Sequence, residues 1–221
     1  MPIEPRPTPG DLLHAREAGA RLPAWYSVHG RDFPWRHWRD SYSVLIGEIL
    51  LQRTSARVAA DFAPEFLHRF PSWASLAAAD ETELEAVLSR IGLQRRRART
   101  FRILSSVMMD SAPAELRDLP GVGQYIERAV DVTLAGRISA MVDTNFVRVV
   151  RRLFGPPWKS DYRYDRRLQA LALAIVEGAG DGRVGNWSVL DLGATVCRPR
   201  RPLCSECPLA DLCHANPAPD R

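Results

Sequence analysis

A chain of 221 residues, 46% hydrophobic and with six tryptophans, is long enough for one or two domains, each with a core of its own. No run of about 18 uncharged apolar residues occurs, which excludes a helical membrane span; the opening MPIEPRPTPGD puts Pro, Glu and Arg where a secretion signal needs an apolar stretch, so residues 1–10 read as a disordered lead-in and the protein as cytoplasmic. The net charge is +4 and the pI about 9.1, and Lys159 is the one lysine among thirty basic residues, a balance that fits a polyanionic partner.

Helical periodicity runs through nearly the whole chain. A first helix is expected over 11–29. DSYSVLIGEILLQRT then reads as a helix capped near Asp40, with Leu45, Ile46, Ile49 and Leu50 forming a broad apolar face that leaves Glu48 in largely apolar surroundings. After a helix over 54–69, the segment DETELEAVLSRIG places Asp80 as a cap with Glu83 three residues on. Its Leu84, Val87, Leu88 and Ile91 fall at i, i+3, i+4 and i+7, and Gly92 ends the helix. Further helices are expected over 96–110, 122–135, 144–154, 164–177 and 186–195. No sustained period-two alternation lies between hairpin turns, so the fold class is all-α.

Three segments carry chemistry. In LPGVGQYIERAV, Gly121 and Gly123 precede an amphipathic helix, which suits either a tight interhelical turn or a nest of amides that holds a phosphate. In MVDTNFVRVVRRLFG, Asp143 stands at the start of a helix whose Phe146, Val149, Val150 and Leu153 face inward; a cap and a catalytic carboxylate are both open, and the helix end favours the ionised form. Cys197, Cys204, Cys207 and Cys213 are spaced C-x6-C-x2-C-x5-C, which points to a metal site, and the spacing alone leaves zinc and an iron–sulfur cluster open.

Taken in order, FPWR (Phe33 to Arg36), EILLQRT, IGL, LPGVGQY, MVDTNFVRV, LDLGATVC and the cysteine block resemble the helix-hairpin-helix, Gly/Pro-rich loop, catalytic Asp superfamily of DNA glycosylases, over about 180 residues. The resemblance is to its iron–sulfur members, endonuclease III and the adenine glycosylases among them, and runs nearest to the thymine mismatch branch. It implies a two-lobed helical fold with a C-terminal cluster loop: a barrel domain over 30–135 that carries the hairpin, and an iron–sulfur domain built from 11–29 plus 136–221. It implies that the four cysteines hold a [4Fe-4S] cluster. The partner implied is double-stranded DNA with a mismatched or damaged base, met by a monomer associated with the nucleoid.

The family's roles carry over residue by residue. Gly121, Val122, Gly123 and Gln124 would grip a backbone phosphate. Asp143 would be the catalytic carboxylate, oriented by Asn145. Glu48 matches the glutamate that protonates the departing base in adenine glycosylases and sits in the base pocket of thymine mismatch glycosylases. Tyr125 stands where lyase-competent members carry a Schiff-base lysine, which implies a monofunctional enzyme, and Tyr125 would hydrogen-bond Glu48 or the base. Arg53 matches the intercalating or orphan-strand residue, with Leu93 or Gln94 as the opposing wedge.

Several features bear on the base removed. LQRT replaces the usual LQQT of adenine glycosylases, Leu93-Gln94 replaces their Tyr-Tyr wedge, VDTNFVRV is nearer to the thymine branch, and the chain ends eight residues after Cys213, which leaves no room for an 8-oxoguanine reader. Thymine or uracil opposite guanine is the expected target, with adenine opposite 8-oxoguanine or guanine as the alternative. A modified-base or restriction-type glycosylase is a second alternative. Ile126-Glu127-Arg128, in place of the family's usual small pair after Tyr125, departs from the pattern at the pocket edge. A non-catalytic DNA-binding protein is a third alternative, and Asp143, Glu48 and Asn145 speak against it, because binding alone needs none of them.

Overall fold

The computed structural model describes residues 6–110, 115–159 and 161–216. Among the described residues there are ten α-helices and six short 3-10 turns and no strand, and no helix is long and apolar enough to cross a membrane. The α-helices are α1 (Pro9–His29), α2 (Ser41–Leu51), α3 (Ala56–Arg69), α4 (Trp73–Ala78), α5 (Glu81–Leu88), α6 (Gln94–Asp110), α7 (Gln124–Ala135), α8 (Thr144–Phe154), α9 (Arg166–Ala179) and α10 (Gly182–Thr195).

The chain divides into two compact units. One is continuous, Asp32–Leu134, and holds α2 to α6 with nearly all of α7. Its core is centred on α2, of which Tyr42 and every residue from Val44 to Leu50 are buried; Phe62, Phe66, Phe101, Leu84 and Leu88 close around it. Asp40 caps α2 by accepting from the Ser43 amide at 2.7 Å. α4 lies outside the expected helices: Ser72 and Ser75 form a reciprocal capping box that starts six residues too short to show a helical period. Asp80 stands at the start of α5 but its side chain makes no bond to the helix, and Glu83, expected to complete that box, is drawn off to Arg69 at 2.6 Å.

The other unit joins the described residues up to Arg31 to those from Ala135 onward. Its first helix begins earlier than expected, because Thr8 caps it through a reciprocal box with Asp11 and Pro9 fits the first turn. The lead-in expected over 1–10 is therefore cut short at Thr8, and its residues 1–5 lie outside the described residues. α1 and α9 pack backbone against backbone: a Cβ at Gly19 would stand 2.0 Å from the Ile175 carbonyl oxygen, and one at Gly178 would stand 2.1 Å from that of Arg16. Ala15, Ala18, Leu22, Leu168, Leu171 and Ile175 are sealed at this contact. Arg31 closes the segment on Asp191 of α10, a fully buried carboxylate, at 2.7 Å.

Candidate active site

In the continuous unit, Glu48 is the only charged residue of α2 and is 7% exposed. Burial pushes its carboxyl up to about 7, so near neutral pH a large fraction keeps its proton. Tyr125, half-buried on the first turn of α7, packs against the same apolar core.

The glycine loop ahead of α7 is held by two apolar pegs, Leu119 and Val122, both buried, with the Val122 amide donating to the Leu119 carbonyl at 3.1 Å. Of the four residues expected to grip a phosphate, Val122 thus anchors the loop through its side chain, while Gly121, Gly123 and Gln124 are exposed. Gly121 is left-handed at φ 82°, and a Cβ there would press on Thr100 Cγ2 at 3.0 Å. A Cβ at Gly123 would meet nothing within 4 Å, so the space in front of the helix end is open. First-turn amides have no partner within their own helix and sit at its positive pole, which suits an anion.

Two side chains of the bulky turn after Tyr125 find partners within the unit. Ile126 points into the core, and Glu127 turns to Arg117 at 3.2 Å. The side chain of Gln52 donates to the Gly121 carbonyl at 2.9 Å and ties the end of α2 to the glycine loop. Arg53 and Leu93 share an uncommon backbone: both have φ 55°, and both are exposed, Leu93 at 41%. Gln94 opens α6 and is half-buried.

In the discontinuous unit, Asp143 is the N-cap of α8. Its Oδ1 accepts from the Phe146 amide at 2.8 Å and its Oδ2 from Asn145 Nδ2 at 2.9 Å. Asn145 is held in turn by Arg148, whose Nη2 donates to Asn145 Oδ1 at 2.8 Å and to the Gly193 carbonyl at 2.5 Å, and whose Nε donates to the Cys197 carbonyl at 2.7 Å. The cap and the orienting amide are thus one arrangement. The carboxyl sits above the ordinary aspartate range because burial outweighs the bonds from Phe146 and Asn145 and the charge of Arg148. The helix end alone, expected to favour the ionised form, does not decide the balance.

The four cysteines are free thiols gathered in one loop after α10. The loop is fixed at its start by Cys197 N to Leu192 O at 2.7 Å and at its end by His214 N to Leu153 O at 3.0 Å and Ala215 N to Arg152 O at 2.9 Å. Burial pushes the Cys207 thiol up to about 11, and the charges of Cys197, Cys213 and Cys204 push the same way. Four half-buried thiols in one loop, with no disulfide among them, are a donor set whose chemistry fits an iron–sulfur cluster, and Arg152 Nη1 donates to Cys197 Sγ at 3.3 Å.

Sequence reasoning missed Arg148, and also Gln52 as the tie to the glycine loop. Arg148 lies one turn beyond Asn145 on α8, a spacing at which two side chains meet, and that is the signal that could have found it.

Residues 46–173 match the family described as HhH-GPD superfamily base excision DNA repair protein, and residues 197–213 match the iron-sulfur binding domain of endonuclease III. The chain is 35% identical to a thymine/uracil-DNA glycosylase of Methanothermobacter thermautotrophicus, covering 86% of this chain and 88% of that protein. It is 32% identical to the human adenine DNA glycosylase, covering 93% of this chain but 40% of the relative. Among solved structures, a thermostable thymine-DNA glycosylase superposes with a TM-score of 0.85 at 32% identity, over 92% of this chain and 97% of that one. Endonuclease III in a non-covalent DNA complex shares the fold, with a TM-score of 0.78 at 21% identity, over 93% of this chain and 96% of that one.

Residues 197–213, which include all four cysteines, are therefore an iron–sulfur motif, and the cofactor is a [4Fe-4S] cluster. Purified protein is expected to be yellow-brown and to contain iron in place of zinc. Elemental analysis that returns zinc without iron would contradict this.

Proposed function

We propose, since the chain belongs to the HhH-GPD superfamily of base excision DNA repair proteins, that it is a monofunctional DNA glycosylase that removes thymine or uracil mispaired with guanine. The observation that carries the reaction is the double hold on Asp143, one oxygen on the Phe146 amide and the other on Asn145. That hold leaves the remaining lone pairs of a fixed carboxylate for a centre that becomes positive. The N-glycosidic bond breaks with its electron pair going to the base, the sugar passes through an oxocarbenium-like state stabilised by Asp143, and water adds to C1′. Glu48, carrying its proton in an apolar setting, donates to the departing base.

Tyr125 has no amine to attack C1′, so water is the nucleophile and no Schiff base forms. Gly121, Gly123 and Gln124 take a backbone phosphate, and Arg53 and Leu93 fill the gap left by the extruded base. Cys197, Cys204, Cys207 and Cys213 would hold the [4Fe-4S] cluster, whose iron–thiolate bonds would cross-link the basic loop from Arg198 to Arg201 and fix it for contact with phosphates.

The likeness to thymine and uracil glycosylases over nearly their whole length supports the choice of base, as does Arg53, whose guanidinium suits the acceptor edge of an orphan guanine. Single-turnover assays on duplexes that differ only in G:T, G:U, A:8-oxoG, A:G or A:T test it. G:T and G:U are expected to be processed fastest, and the product strand to keep an intact abasic site until alkali cleaves it. Rapid loss of adenine opposite 8-oxoguanine with G:T untouched would reassign the base, and borohydride trapping of a covalent adduct would overturn the monofunctional reading.

A further inference from the structure

Four arginines crowd the first turns of α6 and the residues just after: Arg95, Arg96, Arg97 and Arg99. Three are exposed, as a solvated basic face would be. Arg97 is 4% exposed. Its guanidinium lies across two loops. Nη1 donates to the carbonyls of Ile91 at 2.8 Å and Gly92 at 2.5 Å, on the Leu93 side. Nη2 donates to the carbonyls of Leu50 at 3.3 Å and Gln52 at 2.5 Å and to Thr54 Oγ1 at 2.8 Å, on the Arg53 side.

The two residues so held, Arg53 and Leu93, both at φ 55°, are two of three exposed non-glycine residues with a left-handed backbone among the described residues, the third being Arg201 at φ 52° in the cysteine loop. A left-handed backbone under a side chain with a Cβ costs about 1–2 kcal/mol and persists only where its surroundings impose it. Here the carbonyls on both sides are tied to one rigid, planar donor that stays charged. Gln52, bonded through its side chain to Gly121, extends the tie to the glycine loop.

We propose that Arg97 is a positioning residue for base extrusion, a single bracket that sets the Arg53 and Leu93 loops at one mutual spacing so that they enter the duplex together. The inference rests on the reading of Arg53 and Leu93 as the residues that fill the gap. Arg97 touches neither DNA nor base; it acts through the two loops. A spacing error of about 1 Å between two groups that must insert at once is the kind that lowers a rate by about a hundredfold.

The test uses the full-length, iron-loaded protein and a G:U duplex with 2-aminopurine beside the uracil, so that fluorescence reports extrusion before the bond breaks. Arg97→Gln, whose amide can serve only one loop, is expected to lower both the extrusion signal and the single-turnover rate by about tenfold or more, with binding to undamaged duplex unchanged within about twofold because the glycine loop is intact. Arg97→Lys, which keeps the charge, should recover part of the signal. Arg53→Ala and Leu93→Ala should be strongly non-additive in the Arg97 protein and additive in the Gln variant.

Should Arg97→Gln fail to fold, Thr54→Val removes one acceptor and leaves the guanidinium in place, and the same losses are expected at about threefold. Full extrusion and an unchanged cycle in a folded Arg97→Gln or Thr54→Val protein would overturn the proposal. If the unsubstituted protein itself extrudes no base, the reading of Arg53 and Leu93 fails instead.

Discussion

Asp143→Asn is expected to lower the single-turnover rate of base removal by about a thousandfold, the size found when a group aimed at developing charge is neutralised. Asn is as good an N-cap as Asp, so α8 should keep its start and the protein its melting temperature, within about 1 kcal/mol of stability. The two roles of the residue are thereby separated. A cap alone would leave activity unchanged in the Asn variant, and Asp143→Ala would damage fold and rate together. The Asn variant keeps the cap, because its amide oxygen can still accept from the Phe146 amide, while its NH2 group gives up the bond from Asn145. Unchanged excision by folded Asp143→Asn protein would remove Asp143 from the chemistry.

Glu48→Gln is expected to reduce excision by about a hundredfold or more, and to abolish the fall in rate that the unsubstituted enzyme shows as pH rises above about 7. The proton-bearing form is the active one here, so the rate loses about tenfold per pH unit once the group ionises. The same substitution should stabilise the fold at high pH. The folded-state pKa of about 7 lies above the unfolded 4.5, so the folded chain holds this proton longer. The stability that this gives in acid is lost as pH climbs through 4.5 and past 7, to a total of about 3 kcal/mol. Gln carries no such penalty. Melting curves at pH 5 and pH 8 should therefore converge in the variant and diverge in the parent; a parent that melts identically at both pH values would show that Glu48 is not held in an apolar setting.

Much of this was legible because short-range chemistry carried it. Asp40 and Asp143 cap where their side chains must, and the glycine loop announces itself by residue type. What the sequence concealed was which members of a repetitive run turn inward. Arg97 sits in a string of arginines whose charge hides which of them is buried, yet it precedes Phe101 by four residues and Leu104 by seven, on the stripe that α6 buries with Ala98. The capping box at Asp80 failed for the opposite reason: a local pattern was complete, but a residue from α3, Arg69, competed for Glu83. The net direction at Asp143 was equally out of reach, since burial is a property of the assembled unit.

The seam between α1 and α9, where glycine faces carbonyl in both directions, bears on how the chain is made. Residues near Gly19 wait for partners near Ile175, more than 150 positions later. The segment from Asp32 to Leu134 carries its own core and can collapse while synthesis continues. On the ribosome the middle of the chain therefore settles first, and α1 stays uncovered until α9 has emerged. The carboxylate of Asp143 and the thiols of the cluster loop share the unit that must wait for this docking, so neither is set in its final surroundings until that docking is complete.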